Sequence, residues 1–104
     1  MAISSIRTIF ETNNIYQSIV ICQDSHFDML YIDLVKEGYP LSKLEESARF
    51  KNFETRMLAL KLSEWNNNHE IITSCVNTVM FIECQPSKAD MFMLRNASVF
   101  IFSI

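Results

Sequence analysis

Glycine is almost missing from this chain: among 104 residues there is one, Gly38. Loops that cradle phosphate in nucleotide-binding proteins need several close backbone approaches, so a Walker or dinucleotide loop is excluded and nucleotide hydrolysis is not expected. Barrels and sandwiches also need positive-φ corners at many turns, whereas helices capped by Ser, Asp and Asn do not. Cysteine is sparse and odd in number. Cys22, Cys75 and Cys84 show no close pairing pattern, which fits free thiols in a reducing cytoplasm. There is no HExxH, paired CxxC or ExxH motif, and His26 and His69 lie far apart, so no metal and no cofactor is expected. Long apolar runs are absent too. The longest near the C-terminus, Val99 to Phe102 with Ile104 after Ser103, falls far short of the roughly 20 residues a spanning helix needs, so no membrane partner is expected. The first ten residues, MAISSIRTIF, hold neither an uninterrupted apolar segment nor a small-residue cleavage site, and no secretory signal is expected.

What the chain does have is helix punctuation. Phe27, Leu30, Tyr31, Leu34 and Val35 recur at the spacing that gathers apolar side chains on one helix face. Ser25 and Asp28 have capping-box-like spacing, Asp24 adds negative charge at the start, and Lys36, Gly38 and Pro40 mark the end. The spacing predicts a helix from about His26 to Glu37. Ser42 precedes Glu45 at capping-box distance, with Leu41 and Leu44 beside them, so a second helix is expected at once, running from Lys43 to Trp65 and ended by Asn66-Asn67-Asn68. Two helices joined so tightly make a hairpin.

Elsewhere the signals are mixed. Ile3, Ile6, Ile9 and Phe10 have helical spacing. Residues 15–22, IYQSIVIC, are rich in β-branched side chains yet also fit a helical face, and they are read as helix. Between His69 and Cys84 the polar residues recur with helical period against Ile71, Ile72, Cys75, Val76, Val79 and Met80, which favours helix, while the Thr, Val and Ile content pulls toward strand and leaves 70–84 open between the two. Ser87 and Asp90 repeat the capping spacing before a helix from Lys88 to about Arg95, while residues 98–104 fit either its prolongation or a terminal strand. The expectation is one compact all-α domain over 1–104, about five antiparallel helices arranged as hairpins. Its alternative is an α+β fold with strands near 15–22 and 98–103.

Chemistry is scarce in this reading. Cys22 could meet His26 only if one helix ran through Gln23 to Ser25, where the capping signals turn the chain. Asp28 and Asp33 stand five apart, off the i, i+4 line, and read as solvated helix charges rather than an acid–base pair. Arg49, Lys51, Arg56 and Lys61 are interrupted by Glu54 in a chain of net charge −3, so surface ion pairing explains them better than nucleic acid does. No enzyme activity is expected.

Charge is uneven. Between Cys22 and Glu46 six carboxylates face two lysines, so the acidic excess sits in the first expected hairpin. Hydrophobic content of 49% with 20% charged residues leaves apolar surface for a partner. The segment SHFDMLYIDLVKEGYP resembles the second-helix half of an ankyrin repeat. It lacks the TPLH-type opening and does not recur at the 33-residue period, so it is read as helical-hairpin grammar. In size, acidity, low glycine and Asn, Ile, Phe and Lys usage the chain resembles bacterial immunity proteins of the contact-dependent inhibition or colicin type. No motif carries that resemblance and no family residue is transferred. It implies stoichiometric inhibition of a basic toxin domain such as a nuclease, through an acidic surface of Asp28, Asp33, Glu37, Glu45 and Glu46 with Tyr39 beside them. The competing expectation is a phage inhibitor or helical adaptor that assembles through residues 99–104.

Overall fold

The computed structural model describes residues 18–43, 57–72 and 77–102, with the backbone alone over 69–72. Strands and helices alternate along the chain. Strand β1 is Ser18–Cys22, a 3-10 turn at Asp24–His26 leads into helix α1 at Phe27–Lys36, and β2 is Leu41–Lys43. Then come β3 at Met57–Lys61, α2 at Leu62–Ile72, β4 at Thr78–Ile82, α3 at Lys88–Met93 and β5 at Ser98–Phe102. The five strands form one sheet in the order β2-β3-β1-β4-β5. All four pairings are parallel.

An all-parallel sheet explains why the strands look the way they do. Its connections run over both faces, so its central strands are buried on both sides and read as unbroken apolar runs rather than alternating ones. SIVIC, MLALK and TVMFI are such runs, and only Lys61 at the end of β3 escapes full burial. On one face Val20, Cys22, Met57, Ala59, Met80 and Ile82 pack under Phe27, Leu30 and Leu34 of α1. On the other, Ile19, Ile21, Leu58, Leu60, Val79 and Phe81 pack with Trp65 of α2 and with Leu94, which follows α3. Trp65 is fully buried and meets Phe81 edge-on, ring centroids 6.1 Å apart.

The all-α expectation is therefore overturned, and with it the hairpins. Apolar runs buried on both faces have no period of their own, and the helical stripe read across them was a coincidence of spacing. The single helix expected from Lys43 to Trp65 is instead the end of β2, the undescribed residues 44–56, all of β3 and the first turn of α2. Asn66-Asn67-Asn68 do not stop α2, which runs on to Ile72. The segment read as helix between His69 and Cys84 holds β4. The α+β alternative placed strands where β1 and β5 lie but had no place for β2, β3 or β4. The expected helix at Ile3 to Phe10, and Cys75, lie outside the described residues.

Local signals fared better where the chain is exposed. α1 matches the expected helix to within a residue at each end, and Gly38 follows it at φ 93° with its N–H on the Val35 carbonyl. The cap differs, since no side chain caps α1 and the 3-10 turn stands where Ser25 was expected to act. Val35, expected in the core, is exposed, and Tyr31 is only half-buried. Before α3 the Ser87 and Asp90 box is complete: Asp90 donates its N–H to Ser87 Oγ at 3.0 Å, and Ser87 donates its N–H to Asp90 Oδ2 at 2.9 Å. Among the described residues no helix is long and apolar enough to cross a membrane.

Trp65 tests this architecture, because its burial pins α2 to the sheet. Trp65→Ala should cost about 3–5 kcal/mol in urea unfolding, whereas Ile32→Ala on the outer face of α1 should cost about 0.5 kcal/mol or less. A Trp65→Ala loss as small as that of Ile32→Ala would refute the packing of α2.

Candidate functional site at the carboxyl edge of the sheet

In open parallel sheets, ligands bind beyond the carboxyl ends of the strands, where neighbouring strands send their connections to opposite faces. β1 meets that condition on both sides. The helix after β1 packs on one face, while the helix after β3 and the segment after β4 pack on the other. The geometry follows from crossover handedness: connections that travel in opposite directions across a sheet and share a hand must lie on opposite faces. The residues just past the ends of β1, β3 and β4 therefore converge.

The first of these groups is a histidine–carboxylate pair. His26, which closes the 3-10 turn after β1, directs its buried Nδ1 at Oε2 of Glu83, the first residue past β4. Glu83 is the one described non-glycine residue with positive φ, at 60°, a left-handed conformation that costs an L-residue roughly 1–2 kcal/mol. What holds it there is the sheet, since Glu83 donates its N–H to the Phe102 carbonyl at 2.8 Å and prolongs the β4–β5 ladder by one step. The approach is a charge contact and not a hydrogen bond, and Nε2 is the second polar atom of the ring. The imidazole side chain is 45% exposed and the Glu83 side chain 12%, so the pair has a covered half and an open half.

The second group joins β1 to α2. Asp24 accepts the Ser63 N–H on Oδ1 at 3.1 Å and the Ser63 hydroxyl on Oδ2 at 2.6 Å. One turn of helix is thus capped by a residue 39 positions away. Glu64 completes the cap by accepting the Lys61 N–H at 2.9 Å. The Ser63 hydroxyl, then its N–H, hold the Asp24 carboxyl below its usual range. The amino end of a helix at such an edge is where phosphate would sit. Here two carboxylates of the chain itself already occupy its donors.

Thiols near the pair are quiet. Burial, followed by the Glu83 charge, pushes Cys22 up to about 12, and burial pushes Cys84 up to about 11. Cys84 directs its Sγ toward the Ile21 carbonyl at 3.7 Å. Neither is a nucleophile near neutral pH. Among the described residues no group of three or more His, Cys, Asp or Glu side chains is arranged to hold a metal ion. A tight seam with no room for a water molecule, lined by Val20, Cys22, Phe27, Leu30, Tyr31, Leu34 and Ala59, lies beneath α1.

Four of the six residues expected to form an acidic docking surface are described. Asp28 and Asp33 lie on α1 and Glu37 just after it, and Tyr39 sits in the turn before β2, half-buried against the α1 core. Glu45 and Glu46 lie outside the described residues. Sequence reasoning saw Asp24 only as charge at a helix start and gave Glu83 and Ser63 no role. Their one readable signal is position, each just beyond an apolar run, and that signal has meaning only once the runs are known to be parallel strands.

Two measurements follow. Glu83→Ala and Glu83→Gly both remove the carboxylate, but only glycine relieves the left-handed backbone, so the Gly variant should be the more stable by roughly 1 kcal/mol; equal stabilities would show that φ is unstrained. Iodoacetamide at pH 8 should modify Cys22 and Cys84 at least about tenfold more slowly in the native protein than in urea, read by peptide mass spectrometry. Their folded values stand above the ordinary 9.0, so the stability they contribute is fully present below pH 9 and is lost as pH rises toward 11 and 12.

No family model, no curated protein and no solved structure matches this chain.

Proposed function

We propose that the protein binds a small, unphosphorylated ligand at the carboxyl edge of its sheet, with His26 Nε2 as the group that hydrogen-bonds or exchanges a proton with it. The observation that carries this reading is Glu83. A residue kept in a strained conformation, with its carboxylate on a histidine beyond the central strand, supports a functional rather than a purely structural role. Glu83 sets a carboxylate against one edge of the ring, and Nε2 is the ring atom left to meet a ligand. The quiet thiols leave proton transfer as the chemistry this edge is equipped for.

The charge of the edge narrows the ligand. Asp24, Glu64 and Glu83 lie at it against a single described lysine, Lys61, and Asp24 and Glu64 are already seated on the first turn of α2. A phosphate would compete with two resident carboxylates and meet a third, at a cost of several kcal/mol. A neutral, hydroxyl-rich or cationic ligand fits. The free thiols of Cys22 and Cys84 accord with a reducing compartment, and we place the protein in the cytoplasm.

An NMR titration of the ¹⁵N-labelled protein with a panel of neutral and cationic small molecules tests the proposal. Binders should shift resonances of His26, Ser63 and Glu83, and inorganic phosphate should leave them unmoved. His26→Gln and Glu83→Gln should weaken the response about tenfold, the effect of one hydrogen bond, with the rest of the spectrum unchanged. Binders that map elsewhere, or that are indifferent to His26→Gln, would defeat the assignment.

A further inference from the structure

The sheet ends on two outer strands, β2 and β5, and only one of them is closed. β2 is three residues long, follows Pro40 and finishes on Lys43, and its Leu41 N–H already bonds the Tyr39 carbonyl at 3.0 Å. Brevity, proline and charge are the devices by which natural sheets refuse a further strand. β5 has none of them. Ser98–Phe102 runs for five residues, SVFIF, without proline or charge, and Ile101 is 45% exposed.

The ladder on the inner side of β5 shows which of its groups are left over. Ser98 donates its N–H to the Asn77 carbonyl at 2.9 Å, and the Phe102 carbonyl accepts the Glu83 N–H at 2.8 Å. With the register running from Thr78↔Ser98 to Ile82↔Phe102, these bonds turn the peptide groups of Ser98, Phe100 and Phe102 toward β4. Successive residues alternate, so the N–H and C=O of Val99 and of Ile101 point outward. Among the described residues nothing bonds them.

An outward row of donors and acceptors requires an extended strand to cover it. It also fixes the register in which a second β5 fits. A two-fold axis perpendicular to the sheet brings that strand in antiparallel, and directly opposite residues must then both be turned outward or both inward. Centred on Phe100, the pairing obeys this rule at every step. Val99 of each copy exchanges N–H to carbonyl bonds with Ile101 of the other, while Phe100 stands against Phe100 with Cα atoms about 4.5 Å apart. The faces agree too, because Phe100 and Phe102 pack on the α1 side and Val99 on the α2 side, and this axis keeps each on its own side. Centred on Val99 instead, the pairing would need the Ala97 N–H, which the Leu94 carbonyl already holds at 2.9 Å.

We infer that the outer edge of β5 pairs with the β5 of a second copy of this chain, antiparallel and centred on Phe100. The edge itself selects this occupant: a charged strand would be set against Val99, Phe100 and Ile101, whereas β5 meets itself with valine on isoleucine and phenylalanine on phenylalanine. The closed β2 edge offers no second docking strand, so the assembly stops at two copies. A five-residue ladder is a short contact, and the pairing therefore depends on concentration. It does not rest on the ligand reading at the carboxyl edge.

Sedimentation equilibrium over a wide concentration range should show the wild type rising from the monomer mass toward twice that mass. Amide hydrogen exchange at the two ends of that range needs no variant: Val99 and Ile101 should exchange at least about tenfold more slowly in the concentrated sample, while Phe100, already bonded to β4, should change little. Ile101→Pro removes an outward donor that the chain does not use internally and should weaken association at least about tenfold. Ile101→Val keeps the donor and should associate like the wild type, with far-UV circular dichroism confirming the fold of both. A wild type that stays monomeric overturns the inference. So does a dimer whose Val99 and Ile101 amides gain no protection or that Ile101→Pro leaves intact, and so does growth beyond two copies.

Discussion

Strand β1 is bonded on both sides at once, to β3 from Ile19↔Leu58 through Cys22↔Lys61 and to β4 from Ser18↔Thr78 through Cys22↔Ile82. Five residues therefore have to satisfy two hydrogen-bond ladders and two apolar faces together, which is why every position from Ser18 to Cys22 is buried. Because both neighbours are parallel, no hairpin can join them, and each connection has to cross a face of the sheet. The helices are placed by that requirement. α1 covers the face of Val20 and Cys22, and α2 covers the face of Ile19 and Ile21.

The same requirement creates the candidate site. Crossovers that leave β1 and its neighbours for opposite faces part above the end of β1, and residues on the three loops meet there without being close in sequence. The edge is bound together by two polar contacts, Asp24 with Ser63 and His26 with Glu83. The first is a helix cap supplied from the turn after β1 and has an evident structural use. The second sits on strained backbone and opens to solvent at the imidazole, a combination that stability alone does not require.

α1 is held to the sheet on one side only. Its inner stripe is fixed by the sheet, and Lys43 and Lys61 stand over the rings of Tyr31 and Phe27 at 4.8 and 5.8 Å, closing the flanks of that packing with cation–π contacts. Its outer stripe contributes nothing to the core of the chain.

Punctuation was legible in the sequence because it is local. The extent of α1, the left-handed Gly38 and the reciprocal box of Ser87 and Asp90 each depend on a few neighbouring residues and the steric limits of the backbone, and the structure realises all three. The strands were not legible: SIVIC, MLALK and TVMFI each hold four consecutive apolar residues, and such a run fits a buried strand or a buried helix equally well. Strand pairing is settled by partners elsewhere in the chain, so only the tertiary structure could decide that these runs lie side by side, that they are parallel, and that His26 and Glu83, each unremarkable in its own segment, end up facing one another beyond the ends of two neighbouring strands.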